Sequence, residues 1–105
     1  MMVNQKVGGR SMPVLRIEHS VPDYDVWKRA FDSDPADRKG SGVTKYQIFR
    51  SADDPKYVLI DLEFASQAEA EGLLETMRRV WAGPGKDVMM NPQARIVDSM
   101  ETVEL

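Results

Sequence analysis

The sequence predicts an α+β domain in βαββαβ order, a four-stranded antiparallel sheet with two helices on one face. Three observations predict it. Four stretches are rich in β-formers or alternate with period two: Met12 to Ser20, Val43 to Ser51, Tyr57 to Ala65 and Arg95 to Val103. Two stretches between them switch to helical spacing. Clusters of Gly, Pro, Asp and Ser separate the segments, and two helices of this length can cover only one face of such a sheet.

Each element has a local reason. Met1 to Ser11 carries Lys6, Arg10 and two glycines but no apolar run, so it reads as a flexible N-terminal arm rather than a secretory signal. Met12 is an alternative start. Residues 12–105 then form one domain, as the length of 105 residues suggests. The first strand ends at Ser20. From Asp23 to Asp32 the chain is helical, with Tyr24, Trp27 and Phe31 on one stripe. Asp23 is its N-cap, because a carboxylate there accepts bonds from the first free amides. Asp34 to Gly42 is a loop containing Pro35, Gly40 and Gly42. The second and third strands are joined by Ala52 to Lys56, a hairpin connection. Ser66 and Glu69 form a capping box that opens the second helix. Its apolar stripe is Ala70, Leu73, Leu74, Met77, Val80 and Trp81, and Gly83-Pro84-Gly85 stops it. A loop to Ala94 leads to the last strand.

The hairpin register follows from parity. Pairing Ser51 with Tyr57 matches Ile48 with Ile60, Tyr46 with Leu62 and Thr44 with Phe64 on a core face. The other face then matches Phe49 with Leu59, Gln47 with Asp61 and Lys45 with Glu63, the last a complementary charge pair. A slip of one residue would turn the apolar set outward. In the first strand Leu15, Ile17 and His19 share the helix-covered face. The uncovered face carries Arg16, Glu18, Lys45, Gln47, Phe49, Leu59, Asp61 and Glu63. Its charges suit solvent; Phe49 and Leu59 suit a second sheet packed across a twofold axis.

Composition excludes several function classes. Hydrophobic content of 42% with 30% charged residues is that of a globular chain. A net charge of -3 gives no footprint for a nucleic-acid backbone, and no polybasic membrane patch is present. No cysteine means no disulfide, thiol catalysis or thiolate metal site, which is compatible with a cytoplasmic location. No apolar run approaches the ~18 residues of a membrane span. Gly40-Ser41-Gly42 and Gly83-Pro84-Gly85 match neither phosphate-loop nor dinucleotide patterns, so no cofactor is expected.

The strand ending in His19-Ser-Val-Pro-Asp-Tyr-Asp-Val-Trp27, followed by Phe31-Asp32, in this element order, resembles the dimeric α/β-barrel superfamily. The resemblance spans about Met12 to Val103. It is strongest toward uncharacterised small bacterial members related to antibiotic-biosynthesis monooxygenases and polyketide cyclases, through His19, Val21, Asp23, Tyr24 and Trp27. It implies a ferredoxin-like protomer, a homodimer forming an α/β barrel, and a ligand pocket between sheet and helices. Haem chemistry is not transferred. The haem-degrading branch uses an asparagine, a tryptophan and a histidine in a set order, whereas here the histidine precedes both tryptophans.

The candidate ligand-binding residues are His19, Trp27, Tyr46 and Trp81. His19 is the only histidine, and an ordinary pKa near ~6.5 suits a general base or a partner for a phenol. Its alternative role is structural, bonding the loop after the strand and holding the turn. Trp27, Tyr46 and Trp81 offer flat apolar surface with a polar edge; at helical spacing both tryptophans also suit plain core. His19, Asp23 and Asp25 match no strong ligand spacing, so no metal site is expected. Val88-Met89-Met90 plugs a core edge or dimer seam, or else forms a lid. Catalytic residues are not assigned. The leading function is binding of a small aromatic or polyketide-like molecule. Turnover, where it follows, would be cofactor-independent oxygenation or cyclisation. The alternative is a non-catalytic dimeric interaction or structural module.

Overall fold

The computed structural model describes residues 12–83 and 85–105. The expected arm at residues 1–11 lies outside them, as does Pro84 of the expected helix stop. The elements run β1 (Pro13–Ser20), α1 (Tyr24–Asp32), β2 (Val43–Arg50), β3 (Tyr57–Phe64), α2 (Gln67–Ala82) and β4 (Met90–Asp98). The strands form one sheet in the order β2-β3-β1-β4, every neighbouring pair antiparallel. This is the ferredoxin-like arrangement that the sequence predicts.

The core lies between the sheet and the helices. Leu15 and Ile17 of β1 stand opposite Leu62 and Ile60 of β3, and all four are buried. From above, Trp27 of α1 and Ala70, Leu73 and Leu74 of α2 close over them. Burying each large apolar side chain is worth about 1.5–3 kcal/mol, which fixes the strand faces. Asp23 caps α1, its Oδ1 accepting from the amides of Asp25 at 2.9 Å and Val26 at 3.2 Å. Ser66 caps α2 by accepting from the Glu69 amide at 3.2 Å. Glu69 answers by accepting from the Ser66 hydroxyl at 3.0 Å rather than from the cap amide.

The hairpin has the expected register from Lys45 to Arg50, including Ile48 opposite Ile60 and Lys45 opposite Glu63. It departs at Thr44. A bulge lets Val43, not Thr44, face Phe64, so the apolar residue takes the core partner and Thr44 turns its hydroxyl to the Glu63 carbonyl. Lys45 and Glu63 form no ion pair among the described residues. The charge pair on this face is Arg16 with Asp61 across β1 and β3, two hydrogen bonds of 2.9 and 2.8 Å.

The last strand is the larger correction. It runs Met90–Asp98 rather than Arg95 to Val103. Asn91 and Pro92 make its start look like loop. β4 is an edge strand, where proline costs no ladder bond on the open side. Asn91 takes a left-handed φ of 53°, and the ladder skips a residue there, with Glu18 paired to Gln93 and Ser20 to Met90. Of the three residues expected to plug an edge, Val88 and Met89 pack on the core. Met90 does not: it lies level with Ser20 on the uncovered face and is exposed.

Candidate functional site

A cavity of about 280 Å³ opens between the sheet and the two helices. Its floor is Ile17, His19, Ile60 and Leu62 from β1 and β3. One wall is Trp27 and Phe31 of α1 with Arg38 from the following loop. The opposite wall is Met77, Val80 and Trp81 of α2, and Val88 and Met89 close the end. The volume sits near the lower end of the ~300–1,000 Å³ usual for small-molecule sites.

His19 reaches this floor because it continues the inward face of Leu15 and Ile17, and it is only 1% exposed. Its Nδ1 lies 3.2 Å from the carbonyl oxygen of Ser20. That oxygen can only accept, so the proton sits on Nδ1 and leaves Nε2 with a free lone pair. No group among the described residues bonds Nε2. Burial pushes the imidazole below its ordinary pKa of 6.5, outweighing the Ser20 carbonyl, so the ring is neutral at neutral pH.

Trp81 is the second polar feature. α2 carries it on the stripe of Leu73, Leu74 and Met77, one residue before the helix ends. Its indole Nε1–H is buried and also lacks a partner among the described residues. These two nitrogens are the only buried side-chain polar atoms without a partner among the described residues, and both residues line the same cavity.

Three of the four candidate residues, His19, Trp27 and Trp81, therefore meet around one space. Trp27 packs edge-on to His19 with ring centroids 5.5 Å apart. Tyr46 is the exception. It shares the core face, level with Leu62, but Phe31 occupies the wall in front of it. The two rings meet edge to face at 5.3 Å, and Tyr46 is left 44% exposed. It supports the wall without lining it. Arg38 and Phe31 are wall residues that the candidate set omits. The Arg38 guanidinium stacks 3.9 Å above the Phe31 ring, donates to the Phe31 carbonyl at 2.7 Å and lies 3.4 Å from Asp34. Only the helical spacing of Phe31 signals either residue in sequence. No cluster of potential metal ligands occurs among the described residues. No helix among them is long and apolar enough to cross a membrane.

No family model and no curated protein matches the chain. Solved structures do. A candidate antibiotic biosynthesis monooxygenase from Nitrosomonas europaea superposes with a TM-score of 0.66 at 20% identity, covering 85% of this chain and 90% of that one. SnoaB, a cofactor-independent oxygenase from Streptomyces nogalater, gives 0.69 at 8% identity, covering 90% and 97%. A dimeric ferredoxin-like protein from an uncultured marine organism gives 0.62 at 6% identity, covering 90% and 93%. At these identities the shared property is the fold. The chain has the ferredoxin-like protomer fold of antibiotic-biosynthesis-monooxygenase-like and dimeric ferredoxin-like proteins.

Proposed function

We propose that this protein binds a small aromatic or polyketide-like molecule between its sheet and helices, as a homodimer joined through the uncovered sheet face. The observation that carries this reading is the cavity of about 280 Å³ between sheet and helices, walled by Trp27, Phe31 and Trp81, whose lining residues His19 and Trp81 each hold a buried nitrogen with no partner among the described residues. A polar group buried without a partner costs about 1–3 kcal/mol. A cavity serving packing alone would be lined by hydrocarbon; a ligand that answers either nitrogen removes its penalty on binding.

Turnover, where it follows binding, begins at His19. The Nε2 lone pair takes a hydroxyl proton, and the resulting ring-stabilised anion attacks through carbon: on dioxygen it forms a C–O bond to a hydroperoxide, which takes the proton back from His19 and loses water to leave a carbonyl, and on a side-chain carbonyl it closes a C–C bond, the carbonyl oxygen taking that proton. The surrounding apolar walls keep water from that anion. The cofactor-independent oxygenase among the structural neighbours supports this chemistry by analogy of fold. The homodimer is supported by the neighbours described as dimeric and by Phe49, Leu59 and Met90 on a face that no helix covers.

Titration with phenolic and naphtholic compounds tests the reading, following Trp27 and Trp81 fluorescence and oxygen consumption together. Saturable quenching with oxygen uptake supports an oxygenase. Quenching alone supports a binding protein or a cyclase. No saturable quenching by any compound of either class would refute the ligand site and favour the second reading, a dimeric interaction module. The specific support for that second reading is Phe49, 42% exposed on the open face.

A further inference from the structure

We propose that residues 23–42, helix α1 with the loop behind it, form a flap that swings on two hinges and opens the cavity to solvent. Its use as an entrance rests on the reading of the cavity as a ligand site.

The resting cavity is closed at its floor. Ile17, His19, Ile60 and Leu62 line the space, yet each is at most 3% exposed. A molecule that reaches them must displace a wall. The sheet cannot give way there, because β1 and β3 are each bonded to neighbours on both sides. α2 is anchored by three buried residues, Ala70, Leu73 and Leu74, whereas α1 is anchored by Trp27 alone. The wall held by the fewest buried apolar residues opens first, and that wall is α1.

The segment is built to move as one piece. It is fastened to the body just outside each end. The Val21 amide donates to the Lys56 carbonyl at 2.7 Å, and Val43 stands opposite Phe64 in the ladder. Between these points every hydrogen bond and ion pair of residues 23–42, among the described residues, stays within the segment or ends on Val43. The Ser41 hydroxyl donates to the Ala36 carbonyl at 2.9 Å and Arg38 to the Phe31 carbonyl at 2.7 Å, so the loop is tied to itself and to α1. The joints are Pro22-Asp23 and Gly42, both at element ends, where hinges absorb their rotation. Gly42 already holds a φ of +100°, a region open to glycine.

Two clasps keep the flap shut, both on the inward face of β2, where Tyr46 and Arg50 stand level with the buried Leu62 and Val58. Arg38 of the flap lies 5.0 Å from the Tyr46 ring, and Arg50 of the body lies 5.0 Å from the Tyr24 ring of the flap. Each sets a cation against an aromatic ring, a contact weak enough to release without unfolding anything.

Thiol labelling of the full chain tests the flap without any ligand. The chain has no cysteine, so one introduced thiol reports opening by its rate of reaction with the aromatic disulfide dithiobis(nitrobenzoate). Ile60→Cys puts a thiol on the cavity floor; Leu15→Cys puts one in the core outside the cavity. With rates normalised to the stability of each variant in urea melts, Ile60→Cys should react at least about tenfold faster than Leu15→Cys. Its rate should rise little with urea, because hinge opening exposes little surface. Adding Arg50→Gln or Tyr46→Leu should each speed Ile60→Cys by about two- to fivefold and leave Leu15→Cys unchanged. Leu62→Cys, also on the floor, takes the place of Ile60→Cys where that variant lacks a native circular dichroism spectrum. Reaction of the floor thiol only through global unfolding, with its full urea dependence, would overturn the flap. So would fast reaction indifferent to both clasp substitutions, which would put the motion in another wall. Neither result touches the ligand site, which stands or falls on the fluorescence titration with phenols and naphthols.

Discussion

Replacing His19 by leucine should leave the unliganded protein about as stable as the parent. The substitution removes the hydrogen bond from Nδ1 to the Ser20 carbonyl, which at 3.2 Å is worth about 0.5–1.5 kcal/mol. It also removes the edge-on contact with Trp27, worth another ~0.5–1.5 kcal/mol. Against these losses it eliminates the unpartnered Nε2, a relief of about 1–3 kcal/mol, and leucine refills most of the space with hydrocarbon. The terms cancel to within about 1 kcal/mol. The turn that follows β1 does not depend on the imidazole. It is fastened by the Val21 amide donating to the Lys56 carbonyl at 2.7 Å and by the Asp23 cap. His19→Ala differs, because it leaves a hole and should cost about 2 kcal/mol or more. Urea and thermal melts at matched protein concentration would measure both variants. At about 4–8 °C per kcal/mol for a domain of this size, the leucine variant should melt within about 8 °C of the parent. A loss above ~3 kcal/mol for His19→Leu would refute the reasoning, since only a histidine that holds the fold together could be so costly to replace by an apolar residue.

The depressed pKa of His19 makes stability depend on pH. The unfolded chain, titrating near 6.5, binds more protons than the folded one between the two pKa values, so stability falls as pH drops below about 6.5 and this residue adds no slope above it. Melts of the parent and His19→Leu across that window should diverge only on the acid side; parallel curves would contradict the burial. Gly42→Ala should destabilise by about 1 kcal/mol or more, read by urea melts, because φ is +100° there and the new methyl would come 2.7 Å from the Glu69 carboxyl. Light scattering should give twice the 11.9 kDa chain mass for the parent at micromolar concentration. Phe49→Glu should yield monomers with an unchanged fold; a parent monomeric at every concentration would remove the sheet-to-sheet dimer.

The fold was legible because its signals are local and repeated. The Leu15/Ile17 alternation, the parity of Ile48 and Ile60, the Asp23 cap and the Ser66 cap each act over a few residues, and each agrees with the others. Failures came where a strand breaks its own pattern. Nothing in the alternation of β2 marks the extra residue at Thr44, which is chosen by Phe64 across the ladder. Nothing in Asn91-Pro92 looks like strand, since a left-handed residue and a missing amide are tolerable only because β4 lies at the edge. The face of His19 was legible for the same reason as the core. The isolation of Trp81 Nε1 was not, because an unpartnered nitrogen is a property of everything around it. Arg38 reaches the cavity through a loop path that spacing does not encode, whereas Phe31 shares the helical stripe of Trp27. Tyr46 was misplaced because facing the core says nothing about which neighbour stands in front.

The two oddities of the sequence turn out to be neighbours. His19 is the one polar residue on the inward face of β1, and Asn91-Pro92 is the stretch that hides the start of β4. In the ladder the extra residue of β4 falls between the Glu18–Gln93 and Ser20–Met90 pairs, directly across from His19. A bulge bends its strand, increases the local twist and spreads the side chains around it. A regular β4 would continue the inward row of Ile96 and Ala94 beside Leu15 and Ile17, and would set a side chain directly against the imidazole. With the extra residue that row is broken at His19, and the ring keeps Trp27 on one side and the cavity on another. A buried imidazole with one unpartnered nitrogen and a strand with an irregular start are thus one feature, and bulges concentrate where a sheet must re-aim a side chain.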